Sequence, residues 1–260
     1  MTRPQTIASL QRGLQVLAAI QRFSALSFSE VREATGLPKA TLSRLLQTLV
    51  ASGWVRRQGP RGRYVCEPDP TLDPARREQL AHWACLAQPV FARLQSVVPW
   101  PIDLGVRDGG GMLIIDAPED AAMGLSANYR RLGFRPPMLR SSLGLCHLAF
   151  CPEAERTDLL GRLRRSPDAL DQAVLHSGKL PQRLKDIRAQ GYAVRDISVL
   201  PARSTERYGA LAVPVRSGAR LHGCLSCSWL LPIASLEQVV GTCLPAMREA
   251  ADALARRLGA

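Results

Sequence analysis

The sequence predicts an α+β chain built in two parts, and three observations carry that prediction. Residues 26–66 hold two short helical stretches, a tight turn and a basic hairpin. Residues 67–74 (EPDPTLDP) are proline-rich and mark a boundary. Beyond Pro101, short apolar runs mix with helical patterns without a steady βαβ rhythm, which argues α+β. With 260 residues, 46% of them hydrophobic, the chain has enough apolar volume for two cores.

The first helix spans Ile7–Phe23 and carries two apolar stripes. Ile7, Leu10, Leu14, Leu17 and Ala18 form one, and Gly13, Val16, Ile20 and Phe23 form the other. One stripe can face the core of a small domain. The second is then left for another protomer, unless the helix is buried on both sides within its own domain.

Ser27 with Glu30 matches a capping box, opening a helix over Phe28–Thr35 that ends at Gly36. Leu37 and Pro38 make the turn. A second helix follows over Lys39–Ser52, with Leu42, Leu45, Leu46 and Leu49 on one face. Gly53 ends it. Trp54–Arg57 and Arg63–Cys66 then read as paired strands around Gly59–Gly62.

This order is a winged helix-turn-helix, which sets the start of its second helix against base edges of DNA. The leucine face leaves Lys39, Thr41, Ser43, Arg44 and Gln47 pointing outward. Arg and Lys suit guanine, Gln suits adenine, and Ser or Thr suit bases or phosphate. Arg56, Arg57, Arg61 and Arg63 of the wing suit phosphate contact or minor-groove insertion. Charge agrees: of the net +12, residues 1–66 hold ten Lys/Arg against only Glu30 and Glu33. A dimer reading two half-sites of a palindromic duplex gains specificity by geometry.

The boundary segment leads into a helical region from Pro74 to about Val98, with Pro89 imposing a kink or a break into two helices. Ile102–Val106 and Met112–Asp116 form a hairpin-like pair. Helices follow over Ser141–Phe150, Glu153–Arg164 and Leu180–Gln190, and strands over Tyr192–Arg195, Ala210–Arg216 and Leu221–Leu230. Ser235–Leu258 is a closing helix, perturbed by Pro245. The expected organisation is therefore residues 1–68 for the DNA head, 69–98 for a linker helix region and 99–260 for a second domain. No run of roughly 18 apolar residues or signal-peptide pattern appears, and seven scattered cysteines fit reduced thiols; the expected location is the cytoplasm.

The segments SLQRGLQVL, ATGLPKATLSRLLQTL and SGWVRR closely resemble the IclR family of bacterial transcriptional regulators. WPIDLGV, GFRPPMLRSSLG, LAFCPEAER, IRAQGYAVRD and GALAVPV extend the resemblance through the second domain. Within the family the chain is most similar to regulators of 3-hydroxyphenylpropionate catabolism. The resemblance implies a linker helix, a GAF-like effector-binding domain, homodimers or homotetramers, and a small organic acid as effector.

Residues of the second domain fit that implication. Cys224, Ser226 and Ser228 share one face of their strand, small and polar enough for a cavity wall, while Leu225, Cys227 and Trp229 share a core face. The family places effector-contacting hydroxyls at positions matching Ser226 and Ser228. Small residues packed beneath a helix would give the same pattern. Free N–H groups where Ser141–Gly144 opens a helix can hold a carboxylate. The resemblance puts that contact at Ser142 and Leu143, with a further one at or beside Asp196, where Arg195 competes for the role. Arg135 and Arg140 are candidate carboxylate partners.

No cofactor and no metal is expected. Cys224 and Cys227 lie three apart on a strand, so they face opposite ways and lack further ligands. Cys146, His147 and Cys151 do not align as nucleophile and base on one helix. Gly109–Gly111 lacks a following Lys-Ser/Thr and is no phosphate loop. The expectation is a ligand-responsive, non-enzymatic regulator. Its rivals are an enzyme acting on a small acid with an accessory DNA head, and a constitutive DNA binder with no ligand.

Overall fold

In a computed structural model of the chain, residues 7–22, 26–58, 62–66, 73–116, 135–198 and 208–259 are described. The expected positions Phe23 and Arg61 lie outside them. The chain divides into a smaller unit reaching to residue 77 and a larger one from residue 78 onward.

The smaller unit holds α1 (Ala8–Arg22), α2 (Phe28–Thr35), α3 (Lys39–Ala51) and the antiparallel pair β1 (Val55–Gln58) and β2 (Arg63–Cys66). The Ser27 side chain accepts from the Glu30 N–H, and the Glu30 carboxylate accepts from the Ser27 N–H at 2.7 Å, completing the capping box. Gly36 closes α2 at φ 66°, a conformation that costs glycine little. Val16, Ile20, Val31, Leu42, Leu46 and Val55 form the core. The stripe containing Val16 and Ile20 thus faces inward. Leu17 from the other stripe joins that core, while Ile7, Leu10 and Leu14 remain exposed. Replacing Ser27 with Ala is expected to destabilise α2 by about 1 kcal/mol. Amide hydrogen exchange in α2 of the full chain measures this, and wild-type protection in the variant would strike the cap from the stabilising contacts.

The larger unit receives most of α4 (Pro74–Gln95), one helix with Pro89 inside it rather than two in sequence. Its sheet is antiparallel throughout, ordered β4-β3-β7-β6-β5. The strands are β3 (Ile102–Asp108), β4 (Gly111–Asp116), β5 (Ala193–Val194), β6 (Tyr208–Ser217) and β7 (Arg220–Leu230). On one face, Leu104, Leu211, Val213, Leu225, Cys227 and Trp229 pack with Phe91 and Leu94 of α4 and with α9 (Leu236–Leu258). On the other lie α5 (Ser142–Phe150), which contacts β5, β6 and β7, and α8 (Leu180–Gln190), which packs on α5. Between them come α6 (Glu153–Leu163) and α7 (Ala169–His176). α7 is an element the apolar periodicity does not announce; the Asp168 side chain caps it by accepting from the Leu170 and Asp171 N–H groups. Strand β5 is shorter than its sequence suggests, and α9 continues through Pro245. Five of the seven cysteines are buried. No helix among the described residues is long and apolar enough to cross a membrane.

Candidate functional site

The smaller unit presents a polar helix face beside a basic wing. Burial of Leu42 and Leu46 turns Lys39, Arg44 and Gln47 outward and leaves Thr41 and Ser43 half-buried. Pro38 at the helix start makes no side-chain cap, so the first-turn N–H groups keep their affinity for an anion. The wing is fastened by backbone bonds between Leu26 and Tyr64, from the Leu26 N–H at 3.0 Å and the Tyr64 N–H at 2.6 Å. Arg56 and Arg57 are exposed. Arg57 lies over the Tyr64 ring, 5.6 Å from its centroid, and donates to the Gly62 carbonyl at 3.4 Å. Arg63 differs from them: its guanidinium meets the Glu30 carboxylate at 2.9 Å. Half of that bridge is the capping-box carboxylate, whose pKa the Ser27 N–H and hydroxyl and Arg63 hold below its ordinary value. Arg63 thus also braces the wing, and Arg56 and Arg57 are exposed along it.

In the larger unit, Ser226 and Ser228 project from β7 toward the α5 side of the sheet, opposite Trp229 and Cys227. Both are buried, and among the described residues Ser226 Oγ has no hydrogen-bond partner. Leaving such a hydroxyl unsatisfied costs about 1–3 kcal/mol, which an incoming polar atom recovers. Ser226 is paired in register with Asp103 of β3 and Ala212 of β6, so all three share its face. Asp103 is 1% exposed. It is a candidate that sequence reasoning missed, although a carboxylate inside the apolar run Ile102–Val106 was a signal.

α5 begins close to this wall. Ser141 caps it by accepting from the Gly144 N–H at 3.0 Å. That leaves the Ser142 and Leu143 N–H groups as the first-turn donors without an intrahelical acceptor. The Leu143 side chain packs over Gly105, where a Cβ would lie 2.9 Å from Leu143 Cδ1.

The charged candidates are already engaged. Arg140 is held by Asp168 at 2.6 Å and Asp171 at 3.3 Å. Arg135 pairs with Asp108. Asp196 pairs with Arg183 and accepts from the Ser198 hydroxyl at 2.6 Å. Burial works against its charge, but Ser198 and Arg183 hold its pKa below the ordinary value. Arg195 lies over the Tyr208 ring at 3.7 Å and donates to the Tyr208 carbonyl.

Further along α5, His147 Nε2 meets Glu155 Oε1 of α6 at 2.8 Å. Cys224 of β7 lies near the ring; burial opposes the charged imidazole, yet Cys224 and Glu155 raise its pKa above the usual value, while Nδ1 has no hydrogen-bond partner among the described residues. Cys227 faces away, toward Cys243, as strand alternation requires.

Comparison with known proteins accounts for both units. Residues 9–59 match the IclR helix-turn-helix domain, and residues 79–255 match the bacterial transcriptional regulator IclR C-terminal domain. The acetate operon repressor of Salmonella typhimurium is 28% identical over 202 residues, 75% of this chain and 72% of the relative. An IclR family regulator from Brucella abortus has the same fold, at TM-score 0.57 and 24% identity, over 97% of this chain and 93% of that one. An IclR homologue from Microbacterium hydrocarbonoxydans, solved with 4-hydroxybenzoate, aligns at TM-score 0.54 and 23% identity, over 97% and 99% of the two chains. The chain belongs to the IclR family of bacterial transcriptional regulators: it is a DNA-binding regulator with an effector domain, not an enzyme.

Proposed function

We propose that this regulator answers to a small aromatic carboxylic acid bearing a hydroxyl, and controls catabolism of that acid. The observation that carries the reading is Ser226, a buried hydroxyl without a partner among the described residues, on the sheet face that α5 covers. The Ser142 and Leu143 N–H groups take the carboxylate, Ser226 and Ser228 take polar edges of the ligand, and the Asp103 carboxylate accepts from a ligand hydroxyl. The fold relative solved with 4-hydroxybenzoate supports this class of ligand. The ligand alters operator affinity by binding two states of the regulator unequally.

On DNA, Lys39, Thr41, Ser43, Arg44 and Gln47 face base edges, while Arg56, Arg57 and Arg61 meet phosphates. The operator is a palindromic duplex read by a homodimer or a homotetramer. Support for pairing comes from Ile7, Leu10 and Leu14, which stay 57–67% exposed along one side of α1.

Thermal unfolding with hydroxybenzoates, hydroxyphenylpropionates, pyruvate and shikimate tests the ligand class. A true effector at a hundred times its Kd stabilises by about 2.7 kcal/mol. The shift is expected for a hydroxylated aromatic acid in the wild type and is expected to vanish in Ser226→Val/Ser228→Val. An equal shift in that variant moves the pocket elsewhere, and no shift with any acid removes the ligand response.

A further inference from the structure

The sequence LCHLAFCPEAER places His147, Cys151 and Glu155 at successive intervals of four residues. α5 ends at Phe150, Cys151 is its C-cap, Pro152 starts α6, and Glu155 lies in the first turn of α6. The corner keeps all three side chains on one side: one ligand atom from each lies within 4.8 Å of the others. The geometry points to a divalent metal site, suited to zinc, formed by His147, Cys151 and Glu155 with a fourth position open.

The donor set selects the ion. A nitrogen, a sulfur and a carboxylate oxygen suit zinc and its neighbours rather than calcium or magnesium, which take oxygen. Tetrahedral zinc with its usual bond lengths separates its ligand atoms by about 3.3–3.8 Å. His147 and Cys151 are 3% and 4% exposed, which shields two of the bonds, whereas the Glu155 side chain is 24% exposed and gives the ion a way in.

The surroundings match a metal site as well. Cys224 of β7 lies beside the His147 ring, and His147 Nδ1 has no hydrogen-bond partner among the described residues. Arg107 approaches Glu155 at 3.3 Å, but it also reaches Asp158 at 3.7 Å and can rest there when Glu155 turns to the ion. Arg156 is held by Glu153 and by the Leu148 and Cys151 carbonyls, each at 3.2 Å. The Cys224/Cys227 pair plays no part. The bound ion links α5 to α6 and pins the far end of the helix whose first turn faces the sheet wall.

Cobalt(II) titration of the full-length protein tests the site. One equivalent is expected to give a near-ultraviolet thiolate-to-cobalt charge-transfer band, which zinc then abolishes. Cys151→Ser is expected to lose the band, and Cys85→Ser, at an exposed thiol, to keep it. Glu155→Gln, on the exposed side, is expected to weaken zinc by at least about tenfold, as even indirect partners do. Circular dichroism matched to wild type shows that each variant has folded. Absence of the band in wild type, its retention in Cys151→Ser, or its loss only in Cys146→Ser or Cys224→Ser overturns the assignment. If Cys151→Ser fails to fold, unchanged zinc affinity in Glu155→Gln overturns it instead.

Discussion

Gly144→Ala is expected to be among the most damaging single-methyl changes in the larger unit. A Cβ at Gly144 would lie 2.3 Å from the Met138 carbonyl oxygen and 2.5 Å from its Cα. These are backbone atoms in the turn that delivers Ser141, so no rotamer change relieves the overlap. That turn is itself fixed, since the Ser141 N–H donates to the Pro137 carbonyl at 3.0 Å. Either α5 lifts off Met138 or the turn opens, and both displace the first-turn N–H groups of Ser142 and Leu143. Overpacking of this kind costs about 3 kcal/mol, the upper end of its usual range. For a unit of this size that lowers Tm by roughly 6–12 °C. Differential scanning calorimetry measures it, and a Tm within 2 °C of wild type, on the order of one kcal/mol or less, would show that the turn yields freely. Any effector response is expected to be lost with it, even in protein that remains folded.

Arg44→Ala is expected to give the largest loss on the DNA side. Arg44 is exposed beyond the first turn of α3, on the face opposite Leu42 and Leu46. An arginine guanidinium can pair with O6 and N7 of one guanine together, and such a contact discriminates by about 1–3 kcal/mol. Duplexes selected by the wild type from a random library supply the operator. Specific affinity should fall by that amount while affinity for unrelated duplex changes little. Arg56→Ala should instead weaken both alike and reduce the salt slope of log K by about 0.9. Equal loss on both duplexes in Arg44→Ala would make Arg44 a phosphate contact. Arg63→Ala acts differently again, through release of Glu30 and the wing rather than through lost DNA charge.

These sites were unequally legible in the sequence. The winged head could be read because its signals are local: Ser27 with Glu30, Gly36, and leucines repeating within one helix. The inward stripe of α1 could not be chosen, because both stripes are apolar and only Val31, Leu42 and Leu46 decide between them. The two faces of β7, with Leu225, Cys227 and Trp229 on the core side, were readable from alternation alone. Arg140 was not, since its partners Asp168 and Asp171 lie 28 and 31 positions away. They belong to α7, a short helix whose main signal is a single capping aspartate. The proximity of His147 to Cys224 was hidden for the same reason. A search along α5 alone finds no partner for His147, because Glu155 lies across the corner on α6 and Cys224 on a strand 77 residues later.

Strand β7 divides its labour between two faces. Leu225, Cys227 and Trp229 are committed to the packed side with α4 and α9, whereas positions 224, 226 and 228 project to the other. A substitution at 226 or 228 therefore alters the wall without opening the main core. On the proposed reading, that separation makes the strand evolvable: small exchanges at 226 and 228 can retune the preferred acid while Leu225, Cys227 and Trp229 keep the main core. The same partition warns against one-residue insertions in β7, which would send Trp229 into the wall and a serine into the core.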